Sequence, residues 1–67
     1  MKITLSYHAK QQARERGINI SEIKRTIERG AKHFQGKKIV SDHMHIRVVY
    51  KIIGKEHFVI TVMIRLE

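Results

Sequence analysis

The sequence predicts an α+β domain of order β-α-α-β-β-β, with two N-terminal helices packed on one face of a twisted antiparallel sheet. Three observations predict it. Apolar residues recur at helical spacing through Ile27 and at a spacing of two beyond Ala31. Each helical segment starts at a capping residue and stops at a glycine, Gly17 or Gly30. The last two apolar segments are separated by Gly54-Lys55-Glu56, a hairpin signal.

Ile3-Thr4-Leu5 is a short β-prone start. Ser6 is placed to N-cap a first helix that runs to about Arg16, and Gly17 supplies a left-handed stop. The inward positions of this helix, Ala9 and Ala13, are small enough to let it approach the sheet closely, and Arg16 falls on the same side, partly buried. The second helix has Asn19 as N-cap with Glu22 three residues on, a variant of the capping box, and Ile18 against Ile23 as a hydrophobic staple. Ile20, Ile23 and Ile27 then form one apolar stripe.

Ala31 to Gln35 is left open between a short strand and a linking stretch, and Gly36 breaks it. Residues 37–41 read as a strand, followed by a turn near Asp42. The longest strands are about 43–53 and 57–66. A two-residue turn between them sets Ile46, Val48, Tyr50 and Ile52 with Met63, Thr61, Val59 and His57. A three-residue turn sets the same four with Ile64, Val62, Ile60 and Phe58. The second register makes one fully apolar face, which a slip of one residue would destroy. It predicts Ile20, Ile23, Ile27, Ile46, Val48, Tyr50, Ile60, Val62 and Ile64 buried together.

The opposite face then carries His43, His45, Arg47, Val49, Lys51 and Ile53 beside His57, Val59, Thr61, Met63 and Arg65. His45 pairs with Arg65 and Arg47 with Met63, so a cationic cluster without an acid on those two strands forms at one end. A solvated sheet face is the ordinary alternative. The bias of sign favours function, because a neutral face intersperses acids among its cations. The apolar residues between the cations invite a cover: bases, a partner peptide or a second copy in a homodimer. His43 and His45 without a carboxylate nearby make a weak metal site, and His57 lies near the strand's far end. His8, in the first turn of its helix, reads as a neutral, hydrogen-bonded structural residue, since the helix dipole disfavours its charged form there.

Composition narrows the partner. The 67 residues make a single domain, 1–67, near the lower limit for independent folding. Without cysteine there is neither a disulfide nor a thiolate metal site, and nothing points to a cofactor. Fourteen Lys and Arg against six Asp and Glu leave a net +8, whose self-repulsion a polyanion relieves. RNA, DNA, an anionic membrane and an acidic protein all satisfy that condition. No stretch approaches the roughly 20 apolar residues of a membrane span, and no signal peptide is visible, so a cytoplasmic protein that stays off the membrane is expected.

Ser6-Tyr7-His8-Ala9, then Arg14-Glu15-Arg16-Gly17-Ile18, an Ile-rich second helix ending at Gly30, and the hairpin Arg47-Val48-Val49-Tyr50 through Val59-Ile60-Thr61-Val62 resemble a widespread prokaryotic domain family of uncharacterised function. That family has a Ser-x-His-Ala start and an Arg-Gly-Ile junction, and it looks like a compact relative of the RelE/ParE toxin superfamily. The resemblance implies two helices laid on a twisted sheet, the toxin role of a toxin–antitoxin pair, and an antitoxin partner. In RelE-like members the helix-free face holds messenger RNA on the ribosome for cleavage, whereas ParE-like members act on gyrase. His8 and Arg16 transfer as motif residues without an assigned role.

Cleavage by 2′-hydroxyl attack needs a base, an acid and positive charge for the transition state. His45 is the candidate acid or base. Arg47 and Arg65 are the candidate phosphate holders, joined by Lys51 and His43 in binding nucleic acid. Three readings follow: an mRNA endoribonuclease, a non-catalytic RNA or ribosome binder, and an interaction module that binds protein through its sheet face or a strand edge.

Overall fold

The structure is a computed structural model and describes residues 1–66. Among these the order is β1 (Lys2–Leu5), α1 (Tyr7–Arg16), α2 (Ile20–Arg29), β2 (Ala31–Gln35), β3 (Lys38–His43), β4 (Ile46–Ile53) and β5 (Glu56–Ile64). The sheet order is β1-β5-β4-β3-β2. Both helices pack against one face of it, α1 on β5 and β1, α2 on β3 and β4. The α+β class and the helix pair stand as expected. The sheet has one strand more, because Ala31–Gln35 pairs with β3 from end to end. It is also mixed, because β1 lies parallel to β5. Four residues of β1 carry no signal of their partner's direction, and a parallel neighbour requires a crossover, here the two helices and three strands between them.

The helix ends are made as the capping residues require. Ser6 Oγ accepts from Ala9 N at 3.0 Å, and Gly17 closes α1 at φ 66°. Asn19 and Glu22 exchange side-chain to backbone bonds of 2.9 and 3.1 Å, a reciprocal cap worth about 1 kcal/mol. Along α2 the buried residues are Ile23, Thr26 and Ile27. Ile20, at the first helical position, is 54% exposed, and Ile18 takes its place in the core. Thr26 is buried without penalty because its hydroxyl donates to Glu22 O at 2.8 Å.

Three hairpins with two-residue turns follow. Each first turn residue has positive φ: Gly36 at 62°, Met44 at 55° and Gly54 at 61°. The middle turn corrects the expected one. Asp42 lies within β3, and the chain reverses at Met44-His45. The last hairpin combines both registers weighed from sequence. Ile46↔Ile64, Arg47↔Met63, Val48↔Val62 and Val49↔Thr61 follow the three-residue-turn register. A bulge at Val49/Tyr50 then shifts the pairing to Tyr50↔Val59, Lys51↔Phe58 and Ile52↔His57, which a two-residue turn closes. Val59 therefore enters the core in place of Ile60. Ile64, near the sheet's end, is exposed.

The bulge has a use. It leaves Ile60 O to accept the Ser6 hydroxyl at 3.1 Å, next to Ser6 N donating to Val59 O at 2.9 Å. Nearly two turns along α1, Gln12 Oε1 accepts from Val62 N at 3.0 Å. Helix α1 thus continues the cover of β5 beyond the end of β1. Ala9 and Ala13, both buried, leave the room for that approach. Arg16 is exposed instead, 4.0 Å from Glu15, and His8 is exposed on the helix surface rather than held in a structural pocket. Among the described residues no helix is long and apolar enough to cross a membrane.

Candidate nucleic-acid interface

Strand alternation sets the helix-free face. Asp42 stands opposite Arg47, and Arg47 opposite Met63, in one row across β3, β4 and β5. The next row is His33, Val40, Val49 and Thr61. Lys51 and Phe58 lie beyond it, and Ile53 and Glu56 at the far end. His57 and Val59, expected here, belong to the helix side through the bulge, and the His57 ring lies tilted against Tyr50, 5.5 Å between ring centres. Burial pushes the Tyr50 hydroxyl above its ordinary range, in keeping with a core role.

Two of the three residues expected to converge, Arg47 and Arg65, do meet, but around an acid. Asp42, 9% exposed, receives Arg47 Nε at 2.7 Å and Nη2 at 2.8 Å, a bidentate pair. Arg65 Nε lies 3.7 Å and His33 Nε2 3.8 Å from the same carboxylate. The Arg47 hydrogen bonds, with the charges of Arg47, Arg65 and His33, hold the Asp42 carboxyl below its ordinary value against the opposing effect of burial. Arg65 is tied to the β3–β4 turn: its backbone N–H donates to His45 O at 2.7 Å and its Nη1 to Met44 O at 2.8 Å. Glu56, the other acid on this face among the described residues, pairs with Lys2 at 2.9 Å. The two strands therefore carry an acid at the far end, and a third strand supplies one to the cluster.

Each residue singled out from sequence has a place. Arg47 and Arg65 meet at Asp42. Lys51 is half-buried on the same face, outside that network. His45 is exposed in the turn beside Arg65, whose backbone N–H donates to its carbonyl. His43 pairs with Ile46, a core residue, and so lies on the helix side. The two histidines expected on one strand face are thus divided between the end of β3 and the turn. Asp42 and His33 were missed. The alternation Ile39, Ser41, His43 against Val40, Asp42 continues through the acid and was the available signal, obscured because Ser-Asp-His reads as a turn.

Chemically, Nε and Nη2 of Arg47 are committed to Asp42, and the opposite edge of a planar guanidinium keeps donors for a second acceptor. Its direction is fixed by a buried anchor. Next to it Arg47, Met63, Ile64, Arg65 and Leu66 line a shallow recess. Cationic and apolar groups alternate across the face, which suits phosphates and unstacked bases.

Fold and face define a helix-backed α+β domain with an open basic sheet. A family model described as a domain of unknown function, DUF4258, matches residues 5–64, and the chain belongs to that family. No curated protein and no solved structure matches it.

Proposed function

We propose that this domain binds single-stranded RNA on its helix-free sheet face. One observation carries the reading. In a chain of net +8, Asp42 and Glu56, the acids of that face among the described residues, are already paired, while Lys38, Lys51 and the outer edge of Arg47 remain among half-exposed Val49, Phe58 and Met63. Phosphates neutralise the cations, and bases cover apolar surface that water otherwise wets.

The test compares two pairs of substitutions of equal charge. Lys38→Ala with Lys51→Ala removes two cations from the open face, and Lys24→Ala with Arg25→Ala removes two from α2. Fluorescence anisotropy with a labelled oligouridylate gives affinity against salt. Each lost phosphate contact lowers the slope of log K on log salt by about 0.7. The open-face pair is expected to lower it by about 1.4 and the helical pair to leave it unchanged. Equal changes would mean diffuse attraction and no interface.

A second reading, the mRNA endoribonuclease toxin of a toxin–antitoxin pair, is favoured by one observation: the exposed His45 sits beside Arg65 at the end of the face where Arg47 is held. It rests on the resemblance of the sequence to the RelE/ParE toxins, for which two helices on one side of a sheet are expected. Induction in a bacterium should then arrest growth with cleaved messenger RNA, and His45→Ala should relieve the arrest by lowering turnover about 10²–10⁴-fold. Growth and messenger RNA unaffected by the wild-type chain would leave binding alone.

A further inference from the structure

We infer that the outer edge of β2 docks an extended acidic segment of another protein by strand addition. This inference is independent of the RNA reading. β2 is the last strand of the sheet, and each of its residues is exposed. Its two-residue turn makes Gln35 and Lys38 the closing hydrogen-bonded pair. By alternation His33 and Ala31 also bond inward to β3, while the N–H and C=O of Lys32 and Phe34 point outward. No element among the described residues pairs with them.

What these groups accept is set by their surroundings. From Arg29 to Ser41 the chain carries Arg29, Lys32, His33, Lys37 and Lys38 and no acid. A second copy is therefore a poor occupant: it would bring the same cations against this edge, from a molecule that itself carries +8. An acidic strand meets opposite charge at both ends of β2, from Arg29 and Lys32 at its start and from Lys37 and Lys38 at its turn. Phe34 gives the site an apolar anchor. It is 75% exposed, and it stands beside Ile39 on the helix side of the sheet, where α2 covers β3 and β4. An incoming strand with alternating acidic and apolar residues would lay its apolar row on Phe34 and its backbone on Lys32 and Phe34.

The experiment uses the full chain, labelled for amide NMR, titrated with a capped octapeptide of alternating glutamate and valine and with its lysine–valine counterpart. The glutamate peptide is expected to shift and protect the amides of Lys32 and Phe34 in a saturable way, and the lysine peptide to leave them unmoved. Phe34→Pro removes an outward N–H that the sheet does not use, so the fold should survive while affinity falls at least tenfold. Lys37→Glu with Lys38→Glu, both exposed, should also weaken binding without touching the outer edge. Shifts centred on Lys51 and Arg47, equal binding of both peptides, or no saturable shift would overturn the inference. So would self-association through β2, or an oligouridylate that protects Lys32 and Phe34 when the glutamate peptide does not.

Discussion

Replacing Gly30 by alanine tests how α2 is seated on the sheet. Gly30 closes α2 with an ordinary extended backbone, φ −73°, so its need is for space and not for a left-handed turn. An added Cβ would lie 2.5 Å from Thr26 O, 2.9 Å from Asp42 O and closer still to Ser41 Oγ. Even a close carbon–oxygen contact is about 3.3 Å. The hydroxyl can rotate away only by giving up its 2.5 Å bond to Thr26 O, and the two carbonyls yield only if α2 lifts from β3. Overpacking of this kind costs about 1–3 kcal/mol, and the buried hydrogen bond about 1 more. A domain of this size has a net stability of roughly 3–5 kcal/mol. The expected loss of about 3 kcal/mol lowers the melting temperature by roughly 12–24 °C, read by circular dichroism. Gly17→Ala is the control: its Cβ meets nothing within 4 Å, and only the left-handed φ of 66°, about 1–2 kcal/mol, is at issue. If Gly30→Ala costs less than Gly17→Ala, the close seating of α2 is wrong. Adding Ser41→Ala should recover part of the loss by removing one of the three clashes.

Two further outcomes follow from single contacts. The Asp42 carboxyl is held below its ordinary value of 3.8 in the folded chain and regains it on unfolding, so the unfolded chain binds the proton more readily. Its contribution is complete above that value and is lost as pH falls below about 4 through the folded value. Urea midpoints should drop over that window, and Asp42→Asn should flatten the drop. Ser6→Ala removes both the acceptor for Ala9 N and the donor to Ile60 O, and urea unfolding should show a loss of about 1–2 kcal/mol.

The helices were legible because their signals are local: Ser6, Asn19 with Glu22, Gly17 and the Ile23–Ile27 spacing each act within a few residues. The strand faces were legible where apolar alternation is unbroken, from Ile46 to Val49. Past that point two preferences compete, Gly54-Lys55 for a tight turn and Val62 and Ile64 for the apolar register. A bulge satisfies both, and neither half of the hairpin announces it. Asp42 was hidden for a different reason. An acid is poorly suited to a strand, and cations brought in from other parts of the chain, Arg47 first among them, make it acceptable. That information is non-local. The direction of β1 and the exposure of Ile20 likewise depend on where elements end in space, which periodicity does not report.

Asp42 bears on function in two opposed ways, and Asp42→Asn separates them. As a charge it opposes an anionic ligand, and its removal raises the net charge by one from +8. As an anchor it holds Arg47 by two bonds, so the guanidinium meets a phosphate with its orientation already set. If charge dominates, Asp42→Asn binds an oligouridylate more tightly at every salt concentration. If orientation dominates, the variant binds less tightly despite its extra charge, because an amide oxygen replaces a bidentate carboxylate and Arg47 must be ordered on binding. Ordering one such side chain corresponds to a loss of roughly 2–10-fold. The RNA reading expects that loss, measured at neutral pH well below the variant's melting temperature. Tighter binding by Asp42→Asn would make the carboxylate a structural support of the sheet and move the interface away from Arg47, toward Lys38 and Lys51.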